Sequence, residues 1–202
     1  MRTIFSLAGL LIASPAFAVE ALDICIHTEN DLDRLACYDK ISGRSPEITS
    51  LATSGNWLIK KETSKLTDDT NVYMTVRSDE IINCGWNKGD NIILTLRCME
   101  NTTAFIITTD CHMTSSEYND YGDVTYRIDD QKARTVSMEE STDSKALGLW
   151  SGEKSIPVIK QLFSGKQLIT RMTPFSQSPF TATFNIEGLE AASRPLREAC
   201  GW

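Results

Sequence analysis

Six cysteines, Cys25, Cys37, Cys84, Cys98, Cys111 and Cys200, are the residues of this 202-residue chain best suited to covalent chemistry. No two form Cys-x-x-Cys, the spacing of a redox centre or half a zinc site, so cross-linking is the chemistry their distribution favours. Cys25, His27 and Cys37 resemble a ligand set only loosely. Without a close pair, and with oxidation competing for the thiols, a bridge between Cys25 and Cys37 is the better reading. Cys111 adjoins His112, yet neighbours on a strand point to opposite faces and cannot act as nucleophile and base without a turn. That leaves Cys111 to a disulfide and His112 to the surface. Asp68–Asp69, Asp129–Asp130 and Glu139–Glu140 form neither a calcium loop nor a paired-acid motif and read as solvated turns. The chain also has no Gly-x-Ser-x-Gly elbow, phosphate loop or dinucleotide fingerprint. No catalytic residue, cofactor or metal is assigned.

Three basic residues carry the expectation of binding. Arg97, Arg127 and Arg171 each end or interrupt a strand-like apolar run, and if they converge they can hold an anionic group or a carboxylate-bearing partner. Otherwise they are strand residues extending into water or pairing with the many acids. Trp57, Trp86, Trp150 and Trp202 can supply a recognition surface, although packing is the expected role for most of them.

The elements that must position these residues follow from periodicity. Residues 1–18 have a charged start at Arg2, an apolar run from Ile4 to Ile12 and a small-x-small end at Ala16–Ala18, the order of a secretion signal. The apolar run is too short to cross a bilayer. Residues 19–202 are expected to be a single exported domain, in the periplasm of a two-membrane cell, where six cysteines oxidise. The net charge of −7 disfavours nucleic acid as a partner. A helix is expected from Thr28 to Cys37, then strands near Trp57, Val72–Arg77, Asn91–Arg97, Ala104–Thr109 and Val124–Ile128. Asn87-Lys-Gly-Asp reads as the turn of a hairpin that sets Cys84 opposite Cys98. Beyond it come a helix over Ser155–Phe163, strands at Leu168–Met172 and Phe180–Phe184, and a last helical stretch, Leu189–Ala199, that Pro195 bends or divides. The expected fold is α+β: a largely antiparallel β-sheet with an N-terminal helix and short distal helices, reinforced by disulfides Cys25–Cys37, Cys84–Cys98 and Cys111–Cys200. Sequence leaves other pairings open.

The tail RMTPFSQSPFTATFNIEGLEAASRPLREACGW resembles the C-terminal signature of the VasI family, exported proteins associated with type VI secretion that also occur among phage-related bacterial proteins. DLDRLACYDK, NIILTLRCMENTTAFI and YGDVTYRID are similar to its N-terminal cysteine motif, middle strands and basic-residue strand. Cys84 and Cys111 are additions to the simpler pattern. The resemblance implies an envelope accessory role but carries no reaction onto named residues. The function expected is therefore noncatalytic: a periplasmic accessory protein bound to an envelope or secretion-system protein, with no transmembrane anchor after signal cleavage. A small-ligand-binding module is the alternative, and an envelope-directed hydrolase a more distant one.

Overall fold

The computed structural model describes residues 25–28, 31–42, 50–85, 87–116 and 120–202; the expected signal sequence and Trp86 lie outside them. The chain divides into two compact units between positions 47 and 48. In the first, helix α1 (Asp31–Ile41) carries Cys37, which is bridged to Cys25 with their Cα atoms 5.5 Å apart. Arg34 Nη1 donates to Thr28 O at 3.2 Å within the same unit.

The second unit is mostly antiparallel sheet with a few short helices. Its strands are β1 (Ser50–Ser54), β2 (Trp57–Thr63), β3 (Thr70–Cys84), β4 (Asn87–Met99), β5 (Thr102–Thr108), β6 (Asp123–Ile128), β7 (Arg134–Ser137), β8 (Glu139–Glu140), β9 (Ala146–Leu149), β10 (Gln167–Met172) and β11 (Phe180–Asn185). Helix α2 (Gly152–Gln161) separates β9 from β10, while α3 (Leu189–Ala192) and α4 (Arg194–Cys200) follow β11. The hydrogen-bonded order runs β7-β6-β10-β11-β3-β4-β5-β9-β8, with β2 and then β1 flanking the first part of β3. Only Met138 separates β7 from β8 in the chain, so the two ends of this order meet and the sheet closes into a ring.

Two corners make the closure. The first is in β3, whose residues Thr70–Thr75 pair with β2, whereas Ser78 pairs with Phe184 of β11. A register shift between Arg77 and Ile81 marks a bulge there, the usual device for bending a strand from one sheet to another. Side chains stitch it: Ser78 Oγ donates to Glu80 O, and Asn91 Nδ2 donates to the carbonyls of Ser78 and Glu80. Glu80 then reaches across to β11, its carboxylate accepting from the Thr183 amide at 2.6 Å and the Thr183 hydroxyl at 2.7 Å. The second corner is Met138, whose N–H donates to Gly122 O while its carbonyl accepts from Ser116 N. Gly122 has to be glycine because a Cβ there would lie 2.0 Å from Ser116 N.

The interior is full. Strand alternation turns Met74, Leu94, Leu96, Ile107, Leu168 and Phe184 inward, all essentially without exposure. Val158 and Leu162 pack into the same space, against Phe105, Ile107, Val124 and Leu168. Helix α2 starts earlier than its sequence suggested, at Gly152, so Pro157 falls inside it rather than in its first turn. Pro195 divides the last helical stretch as expected, with α4 starting around it. Beyond α4, the Trp202 indole donates to Thr103 Oγ1 at 2.8 Å and stacks on Phe163. Lys160 lies over Trp202 and Arg197 over Phe163, each at 5.4 Å from the ring centre.

All six cysteines are bridged, but two of the expected pairings are corrected. The pairs are Cys84–Cys111 and Cys98–Cys200. The reason is register. Cys84 faces Asn87, which places the reversal just after Cys84, at Gly85, and Cys98 faces Val72 at the other end of the hairpin. Roughly 40 Å of strand separates those two positions on β3. Asn87-Lys-Gly-Asp is a bulge within β4 instead of the turn, its Asn87 Oδ1 accepting from the amides of Gly89 and Asp90. Asn87 N donates to Asp110 O, which brings Cys111 to Cys84.

Two predictions follow from these joints. Replacing Cys98 and Cys200 together by serine should lower the unfolding free energy by about 2–5 kcal/mol, and by more than replacing Cys84 and Cys111, because the first bridge closes 102 residues and the second 27. Urea denaturation measures both, and nonreducing peptide mapping that recovers Cys84 joined to Cys98 would refute the pairing. Glu80 supplies a pH-dependent term: burial opposes its ionisation, but the Thr183 hydroxyl and amide outweigh that and hold its carboxyl below the ordinary range. A depressed carboxylate stabilises the fold above its unfolded pKa, and the contribution is lost as pH falls through the folded value. Glu80→Ala should therefore cost about 1–2 kcal/mol at neutral pH, and the difference from wild type should shrink on acidification.

Candidate functional site

Because the interior is filled, chemistry directed at a partner falls to the outward side chains, whose positions the ladders fix. The two corners divide the ring into a first sheet, β1-β2-β3-β4-β5-β9-β8, and a second, β7-β6-β10-β11, and across the first one outward row reads Leu58, Thr75, Thr95, Ile106, Gly148 and Glu139. The row beside it reads Lys60, Tyr73, Arg97 and Ala104. Trp150, just beyond β9, folds back over this surface. Its ring lies so close to Gly148 that a Cβ there would be 2.8 Å from it, so glycine is what lets the indole lie against the strand. The indole N–H donates to Glu139 O, and the ring covers Ala104, Ile106 and Ala146.

Arg97 lies over that ring, its guanidinium carbon 5.9 Å from the centre, a distance at which a cation and an aromatic face attract. Its Nε is buried and has no hydrogen-bond acceptor among the described residues. Across the row, Lys60 Nζ pairs with Glu62 Oε2 at 2.7 Å and lies over the Tyr73 ring at 5.8 Å. The Glu62 carboxylate also accepts from the Tyr73 hydroxyl, and the Lys60 and Tyr73 hydrogen bonds, in that order, lower its pKa against a smaller opposing effect of burial. Leu58, Lys60, Glu62, Tyr73, Thr75 and Thr95 line an open depression of about 500 Å³, and Leu58 remains 45% exposed. A second depression, of about 470 Å³, continues from Leu58 and Thr75 to Asn56, Arg77, Asp79 and Asn185, at the gap where β3 leaves β2 for β11. The arrangement offers aromatic faces, an aliphatic anchor, one compensated ion pair and one arginine with a spare donor.

Of the three arginines whose convergence the sequence left conditional, two lie together and the third lies apart. Arg127 on β6 faces Ile169, and Arg171 on β10 faces Thr125, so those two are diagonal neighbours on the outward face of the second sheet. Arg97 lies on β4, separated from β6 by β3, β11 and β10 in the ring. Trp57 is core and Trp202 closes the α2–α4 stack, leaving Trp150 as the described tryptophan on a binding face. Sequence reasoning passed over Tyr73, Lys60 and Leu58. Their signal was the alternation in Trp57–Lys60 and Val72–Arg77, which places them outward once the buried face is known.

Cys111 is bonded to Cys84, and His112 packs against Phe175 at 5.2 Å between rings, so they form no nucleophile–base pair. Asp68 occupies a tight turn at φ 59°. Glu139 and Glu140 lie on β8 and not in a turn, with Glu139 paired to Lys154 at 2.7 Å. Among the described residues no cluster of three or more His, Cys, Asp or Glu could hold a metal ion, and no helix is long and apolar enough to cross a membrane.

Over residues 24–202 the chain matches the model of the family described as Type VI secretion system VasI, EvfG. No curated protein matches it. Among solved structures, the crystal structure of invasion associated protein b from Bartonella henselae is similar at a TM-score of 0.49 and 13% identity, covering 74% of this chain and 96% of that one.

The Tyr73 contacts have a spectroscopic consequence. Burial, then the hydrogen bond to Glu62 and its charge, raise the Tyr73 pKa above the ordinary tyrosine value, with Arg97 acting in the opposite sense. In an alkaline titration followed by ring-carbon NMR, Tyr73 should be late to ionise, and Glu62→Gln should bring its transition to lower pH. An unchanged transition would remove Glu62 from its environment.

Proposed function

The chain belongs to the VasI family of type VI secretion system proteins, and from that premise we propose that it is a noncatalytic periplasmic accessory that binds another envelope protein through the outer face of its first sheet. The observation carrying this reading is the outward row Tyr73–Arg97–Trp150 beside half-exposed Leu58. Tyrosine, tryptophan and arginine are the residue types that dominate protein interfaces, and here they are held in place by strand backbone and by mutual stacking before any partner arrives. Arg97, held over the Trp150 ring, supplies a cation that a partner's carboxylate would pair with. Three disulfides support residence in an oxidising compartment.

The shape of the surface favours a protein over a small molecule. Ligand sites enclose most of what they bind. Both depressions here are open along the sheet, and their linings run on into a broad face. As for turnover, the carboxylates and the imidazole that sequence singled out are dispersed among turns, strand pairs and ring contacts.

The test is capture from intact envelopes by the oxidised protein, compared across single variants. Trp150→Ala, Tyr73→Ala and Arg97→Ala should each reduce the partner retained by about tenfold or more while circular dichroism stays unchanged. Equal retention by all three would remove this face from the function. Envelope-substrate turnover by the wild type, abolished by changing one residue of either depression with the fold intact, would replace the binding role with an enzymatic one.

A further inference from the structure

We propose that the outward face of β6 and β10 is a second docking surface, at which Arg127 and Arg171 take the carboxylates of an acidic segment of a protein partner. The two arginines are diagonal neighbours across an antiparallel pair, a relation that sets their strand positions about 7–8 Å apart. Tyr126, Ile128, Thr170 and Met172, which alternate with them, are buried, so both arginines point outward and both are exposed. Around them the outward positions are Thr125 and Thr135, whose hydroxyls lie 3.2 Å apart, Ile169 and Thr181, with one acid, Asp123, diagonal to Arg171 on its other side and hydrogen-bonded to Ser137. Such a face is flat, and an extended segment can lie along it.

Three carboxylates near the face are hydrogen-bonded to neutral groups and are not paired with either arginine. Asp129 accepts from the amides of Lys166 and Gln167, Asp123 from the Ser137 hydroxyl, and Glu80 from Thr183. Neither Arg127 nor Arg171 has a hydrogen-bond or ion-pair partner among the described residues. Two like charges on adjacent strands, neither in contact with a carboxylate of the described residues, work against the sheet although the chain carries a net charge of −7. They are left for a ligand. Guanidinium forks match carboxylates bidentately, and a short acidic segment delivers carboxylates to two arginines at strand spacing. An anionic bilayer fits less well, because a planar negative surface repels the acidic chain as a whole while only two cations attract it.

The probe is a glutamate-rich peptide and its glutamine counterpart, titrated by calorimetry into the oxidised protein. The glutamate peptide should bind, the glutamine peptide should not, and added salt should weaken the complex. Arg127→Ala and Arg171→Ala should each lower affinity about tenfold, and Arg127→Lys less. Because both side chains are exposed, the variants should melt like wild type. The proposal fails if the double alanine variant binds as wild type does, if the two peptides bind alike or not at all, or if the protein instead binds phosphatidylcholine vesicles containing phosphatidylglycerol. Since Arg97 and Trp150 lie on the other sheet, this result and the envelope capture can fail independently.

Discussion

Everything in the ring depends on β3 changing partners partway along its length. A strand of fifteen residues cannot keep both neighbours of a strongly twisted sheet, and here it gives up β2 after Thr75 and takes β11 at Ser78. The bulge between Arg77 and Ile81 supplies the bend, and the backbone groups it strands are recovered by Ser78, Asn91 and Glu80. With that bend made, Met138 can turn the chain from β7 to β8 and bring the last edge round to the first. The closed sheet then has no long free edge except along the β1–β2 flap.

Closure also decides where function can reside. A ring of this size has an inside that side chains and two short helices fill, and among the described residues the cavity beneath α2 has a volume of only about 10 Å³. The outward residues are what remain, and the ladder divides them into two faces of different chemistry. The first is aromatic and aliphatic with a stacked arginine. The second is threonine-rich and cationic. Apart from Trp150, which follows β9 and is held by its contacts with Glu139 and Gly148, the residues of both faces are fixed by strand pairing.

The strands and their inward faces were legible in the sequence because alternation survives in β4, β6 and β10, each reading buried–exposed almost without interruption. Register was not. Asn87-Lys-Gly-Asp has the composition of a turn, yet Asn87 spends its side chain on Gly89, Asp90 and Thr109, and the chain has already reversed at Gly85. With the chain reversed at Gly85, Cys84 faces Asn87 and Cys98 faces Val72 at opposite ends of the hairpin, so the expected Cys84–Cys98 bridge cannot form and Cys111 and Cys200 take the other partners. The arginines failed to converge for a related reason: Arg127 meets Arg171 because β6 pairs with β10 across an intervening helix, an association that local pattern does not encode. The Trp150 face was invisible for want of a signal, since only the closeness of its ring to Gly148 shows that the indole lies down on the sheet. The resemblance identified the family but said nothing of which surface it uses.

The two bridges of the ring are interleaved along the chain, with Cys98 lying between the members of the Cys84–Cys111 pair and its own partner 102 residues downstream. A polypeptide delivered from its N-terminus presents Cys84 and Cys98 to an oxidant first, and Cys200 long afterwards. Oxidation in order of emergence therefore joins the wrong neighbours. Maturation needs either a delay until α4 has been delivered or an isomerase to reopen the early bond. In an oxidising compartment the yield of the native form would then depend on thiol–disulfide catalysts as well as on the sequence.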